Sequence, residues 1–172
     1  MSREEFIALV NGEQKQLRRF LLVLCCGNRD EADDIAQEAL VKAYLSSSTY
    51  HDEGKFAAWL YKIAHNTFLD QQRARRYTED IDEARNLTDG NYAADRSFEY
   101  QELYAAIAEL SPKERSSILL YYMKGYSVKE IGGIIDCKED AVKKQLSRGR
   151  EQLNPSLIAK IIFNHFSAIL FH

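Results

Sequence analysis

The sequence predicts an all-α protein built as two small helical units, and three observations carry that prediction. Apolar residues recur at the helical period through every long segment, and no stretch longer than a few residues alternates as a strand does. Only 2 of the 172 residues are proline, and 45% apolar with 28% charged side chains is the balance of a compact chain, not of a disordered or collagen-like one. Charge then divides the chain: residues 1–77 sum to zero, 78–110 to −7 and 111–153 to +3. The stretch from Thr78 to Ser97 mixes acids with Asn, Gly and Thr and holds few large apolar residues. Boundaries at 1–77, 78–104 (an acidic, mobile linker), 105–153 and 154–172 (an extension) follow, and 172 residues suffice for two modest cores.

The elements of the first unit follow in order. Phe6, Leu9 and Val10, then Leu17, Phe20, Leu21 and Leu24, mark a long first helix. From Arg29 to Leu45, Ile35, Ala36, Ala39, Leu40, Ala43 and Tyr44 share one side, while Asp34, Gln37, Glu38 and Val41 lie opposite, an amphipathic helix with an acidic outer stripe. A polar loop, Ser46 to Gly54, leads to a third helix, Lys55 to Arg76, which places Phe56, Leu60, Ile63 and Thr67 toward the bundle. Its outward stripe holds Lys62, Asn66, Leu69, Arg73 and Arg76, with Trp59, Tyr61 and Tyr77 along the same element. Cations interleaved with rings suit single-stranded nucleic acid, because the charges hold phosphates while ring faces stack on bases. A solvated polar face with Trp59 in the core fits the same spacing.

In the second unit Ser111 caps a helix with Pro112 in its first turn. Past Gly125 come Ser127 to Ile135, a turn at Asp136, Cys137 and Lys138, and a helix from Glu139 to Leu153. Helix, tight turn, helix is the arrangement that sets a second helix in a major groove. Val142, Leu146, Gly149 and Leu153 form the inner stripe; Asp140, Lys144, Ser147, Arg148 and Glu151 lie opposite, with Lys143 and Arg150 on the flank. Four cations and no acid between Lys143 and Arg150 suit phosphates and base edges together, although an ordinary helical hairpin with a charged surface shares the pattern. Two glycines, Gly132 and Gly133, interrupt the first helix of the turn motif, where they favour fraying or very close packing. After Leu153, Asn154 and Pro155 start an amphipathic helix with Ile158, Ile162, Phe163, Phe166, Ile169 and Leu170 on one side, expected to pack on the second unit, with a protein partner, self-association or a membrane surface as the other readings of its apolar face.

Other classes fare poorly. Cys25 and Cys26 are adjacent and Cys137 is distant, so neither a disulfide framework nor a metal-ligand spacing arises, and His51, His65, His165 and His172 are scattered. No metal, cofactor or small-molecule substrate is expected, and an enzyme using Cys25 or His65 lacks a base and an orienting partner at sensible spacing. The apolar stretch from Leu157 to Phe171 falls short of the ~20 residues of a membrane span. The opening Met1 to Glu5 has no secretory signature, so an intracellular protein is expected.

Three motifs in this order resemble the extracytoplasmic-function sigma factors of the sigma-70 family, bacterial initiation subunits of RNA polymerase. Asp33, Asp34, Ile35, Ala36, Gln37, Glu38 and Ala39 through Ala43 and Tyr44 are similar to the region 2.2 helix; Phe56, Trp59, Leu60, Ile63, Ala64, Asn66, Asp70 and Arg73 to regions 2.3 and 2.4; Leu110, Ser111, Pro112, Arg115, Glu130, Ile131, Val142, Lys143, Leu146, Ser147, Arg148, Gly149, Arg150 and Leu153 to region 4. The resemblance implies that Asp33, Asp34, Gln37, Glu38 and Val41 bind the clamp of core polymerase. It implies that Tyr50, His51, Trp59, Lys62, Asn66, Arg73 and Arg76 melt and read the minus-ten element, Tyr50 and His51 around a flipped base. It implies that Lys138, Asp140, Lys143, Lys144, Ser147 and Arg148 meet the minus-thirty-five element, Asp140 as a helix cap or an acceptor from cytosine. Clamp and flap of core polymerase, promoter DNA and an anti-sigma factor are the implied partners. The implied place is the cytoplasm, at the nucleoid in holoenzyme and at the membrane where an anti-sigma factor anchors the chain. Modules with net charges of only 0 and +3 bind duplex weakly alone and gain through effective concentration once polymerase holds both. A helix-turn-helix regulator that binds operator DNA without polymerase is the other reading.

Overall fold

The computed structural model describes residues 1–51, 53–81 and 98–170. They form α1 (Arg3–Leu24), α2 (Arg29–Ser46), a short 3₁₀ turn (Ser47–Thr49), α3 (Phe56–Ile81), α4 (Phe98–Ala108), α5 (Pro112–Tyr122), α6 (Val128–Ile135), α7 (Glu139–Gln152) and α8 (Pro155–Leu170), with no strand among the described residues. Side-chain caps start most of these helices where the sequence places them. Ser2, Ser111 and Ser127 each form a reciprocal capping box with a glutamate three residues on, and Asn28 accepts from the Glu31 amide.

α1, α2 and α3 pack as a bundle around Leu17, Phe20, Leu21, Ile35, Leu60 and Phe68. Ala36, Ala39 and Ala43 are fully buried, and their small side chains let α2 lie close against its neighbours. Tyr44 departs from the sequence reading: it is 48% exposed at the edge of the bundle, where its ring meets Phe6 edge-on at 5.4 Å. Periodicity put it with the inner residues, but a tyrosine at the border keeps its hydroxyl wet while its ring covers apolar surface. Glu31 is buried with Arg75 at 3.0 Å and Gln72 at 2.9 Å, so part of the basic cluster near the end of α3 serves the bundle.

α3 runs on to Ile81 and α4 begins at Phe98, so both ends of the stretch grouped as acidic linker are helical; residues 82–97, where the linker expectation centres, lie outside the described residues. Leu103, Tyr104 and Ile107, at i, i+1 and i+4, are buried. The Tyr104 ring lies against Gly27, where φ is +83° and a Cβ would stand 2.7 Å from a ring carbon; only glycine satisfies both demands.

α5, α6 and α7 form the second unit, with Ile118, Leu119, Ile131, Val142 and Leu146 inside. A Cβ at Gly149 would overlap the Ile118 side chain, so glycine sets the approach of α7 to α5. Asp136 ends α6 in the left-handed conformation, φ 53°, and starts the turn into α7. α8 folds back on α5 and buries Leu157 and Ile161. The two units are docked: α6 packs on α3 and α5 on α1, and the buried residues form one continuous cluster.

Candidate nucleic-acid and partner interfaces

The outer face of α2 presents the predicted acidic stripe. Asp33, Asp34 and Gln37 are exposed, and Val41 is 58% exposed. Asp33 meets Arg18 of α1 at 3.3 Å, while Glu38 pairs with Lys42 at 2.8 Å and accepts from Gln71 at 3.1 Å. The Lys42 and Gln71 hydrogen bonds hold the Glu38 carboxyl below the usual carboxylate range, and Glu38 raises Lys42 in turn. Sequence reasoning missed Leu45, 74% exposed, and Ile7 on α1 at 46%. An isolated exposed leucine needs no explanation, but Val41, Tyr44 and Leu45 extend the acidic stripe with apolar surface toward the end of one helix. Acids beside exposed aliphatic groups suit a partner helix that is basic with an apolar stripe.

The polar loop and α3 make the second surface. Tyr50 sits against Phe56 and Trp59, with ring centroids 5.8 Å and 4.8 Å away. Trp59 is half-buried on that aromatic stack, neither wholly in the core nor free, which combines the two sequence readings of this residue. His51, Asn66, Arg73 and Arg76 are exposed, Arg73 reaching Asp70 at 3.6 Å. Lys62 is half-buried and points into the second unit, 2.9 Å from Asp136. A groove of about 530 Å³ lies between this surface and α6, lined by Tyr50, Trp59 and Lys62 on one side and Tyr126, Lys129 and Ile134 on the other. Burial pushes the Tyr126 phenol up to about 12. Tyr126 and Lys129 escaped the sequence reading because nothing in their spacing marks the face turned toward α3.

The third surface is α7. Lys138, Lys143, Lys144, Ser147 and Arg148 are all exposed, and Val142, Leu146 and Gly149 are buried beneath them, as the spacing predicts. Asp140 departs from one expectation. Lys138 occupies the N-cap position, with no side-chain hydrogen bond to the helix, and Asp140 stands exposed inside the first turn. It therefore acts on the helix only through the N-terminal dipole, and as an acceptor it faces solvent. Arg150 leaves the cationic face: it donates to the Tyr122 hydroxyl at 2.7 Å and lies over the Tyr121 and Tyr122 rings. Among the described residues no group of His, Cys, Asp and Glu side chains is placed to hold a metal ion, and no helix is long and apolar enough to cross a membrane.

Comparison with known proteins gives these surfaces a family. Residues 9–78 match Sigma-70 region 2 and residues 100–153 match Sigma-70, region 4. The ECF RNA polymerase sigma factor SigW of Bacillus subtilis (strain 168) is 34% identical over 145 residues, which cover 76% of this chain and 78% of that protein. EcfG of Rhodopseudomonas palustris (strain TIE-1), another ECF RNA polymerase sigma factor, is 29% identical over 163 residues, 90% of this chain and 84% of its own. The fold is similar to that of the sigma factor RpoE from Bartonella quintana, solved in complex with the anti-sigma factor NepR: TM-score 0.75, 24% identity, covering 92% of this chain and 97% of that one. A regulator that acts without polymerase is not favoured, since the likeness takes in the first unit as well as the helix-turn-helix. With both units matched in family order, the chain belongs to the ECF RNA polymerase sigma factors of the sigma-70 family and is a promoter-specific transcription initiation factor.

Proposed function

We propose that the division of labour within this initiation factor follows its three surfaces. The outer face of α2, with Asp33, Asp34, Gln37, Glu38 and Val41, docks on the clamp of core polymerase. Tyr50, His51 and Trp59, with Lys62, Asn66, Arg73 and Arg76 along α3, open and read the minus-ten element; the rings accept unstacked bases and the cations hold the strand. Lys138, Lys143, Lys144, Ser147 and Arg148 on α7 meet the minus-thirty-five element in the major groove, where Asp140 is aimed to accept from a base amino group. The chain works by binding and carries out no chemistry of its own.

The observation that carries this reading is that two surfaces suited to DNA, one aromatic and basic and one a basic recognition helix, stand on a chain whose net charge is −3. Neither surface neutralises enough phosphates to hold a promoter alone, so a carrier that binds the acidic α2 face is needed to present both. The groove between the units and the amphipathic α8 offer surface to an anti-sigma factor, which would keep the chain inactive in the cytoplasm or at a membrane.

Transcription with purified core polymerase tests the assignment. The chain is expected to co-purify with core polymerase and to start RNA synthesis at specific sites. Asp34→Lys, at an exposed position, is expected to abolish co-purification while leaving the helical circular dichroism unchanged. Unchanged co-purification would remove α2 as the docking face.

A further inference from the structure

Between Met1 and Gln16 a single residue is buried, Phe6 in the first turn of α1; the next buried residue of that helix is Leu17. Phe6 stands just before residues 9–78, the segment that matches Sigma-70 region 2. The capping box of Ser2 and Glu5 fixes its turn, and the Phe6 amide donates to the Ser2 carbonyl at 3.1 Å.

What Phe6 packs on is aromatic. Its ring lies edge-on to Tyr44 of α2 at 5.4 Å and edge-on to Phe56, the first residue of α3, at 6.1 Å. Phe56 is itself buried and meets both rings of the minus-ten surface, Tyr50 edge-on at 5.8 Å and Trp59 tilted at 5.6 Å. Each separation falls in the range of roughly 4.5–7 Å over which ring pairs attract. Tyr44, Phe6, Phe56, Trp59 and Tyr50 thus form one continuous chain of rings, and Phe6 is the member that α1 supplies.

Opening a duplex calls for rings whose faces are already set. A base leaves its stack at a cost, and a ring that must first find its orientation offsets less of that cost than one held ready. Tyr50 stands in the loop before α3 and Trp59 is half-buried, so the buried Phe56 ring is the fixed surface common to both. Phe6 restricts that ring from the α1 side.

We propose that Phe6 is a positioning residue for promoter opening: it holds Phe56, and through Phe56 the faces on which Tyr50 and Trp59 receive unstacked bases. Phe6 touches no DNA itself. The first turn of α1, ahead of the family-matched segment, thereby becomes part of the minus-ten site. The proposal rests on the reading of Tyr50 and Trp59 as the base-accepting rings.

Purified holoenzymes carrying Phe6→Leu, Phe20→Leu or Trp59→Ala test it. The probe is one promoter at which the unaltered holoenzyme starts RNA, presented fully paired and as a heteroduplex mismatched across the minus-ten element. Phe6→Leu removes the ring and keeps an apolar side chain. Phe20→Leu makes the same change at a fully buried ring of the same helix, one that faces Tyr61 at 5.0 Å instead of the minus-ten rings. Permanganate reactivity of unpaired thymines reads the rate of opening. At saturating core polymerase, Phe6→Leu should open the paired promoter about two- to tenfold more slowly than either the unaltered chain or Phe20→Leu, the range that loss of one edge-on ring pair supports. On the mismatched template, where the bases are already unpaired, Phe6→Leu should start RNA as the unaltered chain does. All three variants should co-purify with core polymerase. Opening of the paired promoter at the unaltered rate by Phe6→Leu, an equal deficit in Phe20→Leu, or a Phe6→Leu deficit that persists in full on the mismatched template overturns the positioning role. Loss of polymerase binding by Phe6→Leu alone would overturn it too, by assigning Phe6 to the docking face through Tyr44. Unaltered opening by Trp59→Ala would overturn the minus-ten reading and the proposal with it, whereas slow opening by Trp59→Ala beside normal opening by Phe6→Leu overturns the proposal alone.

Discussion

Two adjacent glycines in one short helix should respond in opposite directions to the same substitution. Gly132 and Gly133 both lie in α6, and a glycine inside a helix costs about 1 kcal/mol relative to alanine. At Gly133 a Cβ meets nothing within 4 Å, so Gly133→Ala is expected to stabilise by ~0.5–1 kcal/mol. At Gly132 the Cβ would stand 2.7 Å from the Cys137 carbonyl oxygen. That oxygen belongs to the backbone of the turn that aims α7, so it yields only if the turn moves. Overpacking costs about 1–3 kcal/mol, and against a backbone oxygen it falls in the upper part of that range, about 2–3; less the helix-propensity gain of about 1 kcal/mol, Gly132→Ala is left destabilised by about 1–2 kcal/mol. Urea unfolding followed by circular dichroism separates the two. With a slope of about 2 kcal/mol per molar, the midpoint should rise by about 0.4 M for Gly133→Ala and fall by about 0.5–1 M for Gly132→Ala. Equal stabilisation by both substitutions would refute the close approach of the turn to α6, and with it the reason the first of these positions demands glycine.

Burial, with Lys113 nearby and Asp136 partly offsetting it, holds the His65 imidazole down to about 4 from an ordinary 6.5. An unfolded or opened chain binds that proton more readily, so stability is expected to fall as pH drops below about 6.5, by about 2 kcal/mol between pH 7.5 and 5. His65→Gln should flatten that share of the pH dependence in urea titrations; an identical pH slope would place His65 in water. Lys144→Ala and Arg148→Ala, at exposed positions of α7, should each lower the slope of log affinity against log salt by about 1 in holoenzyme binding to duplex containing the minus-thirty-five element, without unfolding the chain. Leu157→Ala, at a buried position of α8 packed on the second unit, should destabilise by about 2–4 kcal/mol and reduce soluble yield; raised transcription with unchanged stability would make α8 an inhibitory element instead.

What the sequence makes legible, and what it hides, divides along the range of the interactions. Ser111, Pro112 and Glu114 announce the start of α5 because a capping box is complete within four residues, and Val142, Leu146 and Gly149 announce the buried face of α7 because one helix turn relates them. Tyr44 and Trp59 sit at borders, where periodicity names a direction but not a depth. α4 stays hidden because Glu99 and Glu102 continue the acidic composition of the linker into it, while Leu103, Tyr104 and Ile107 place only three buried apolar residues on one short face. The packing of the two units on each other lies beyond any such signal. Lys62 and Asp136 are 74 residues apart, His65 and Ser116 are 51 apart, and each reads in isolation as an ordinary member of its own element. Lys62 does so most completely, since a lysine on an outward stripe looks the same whether it faces a phosphate or a carboxylate of its own chain.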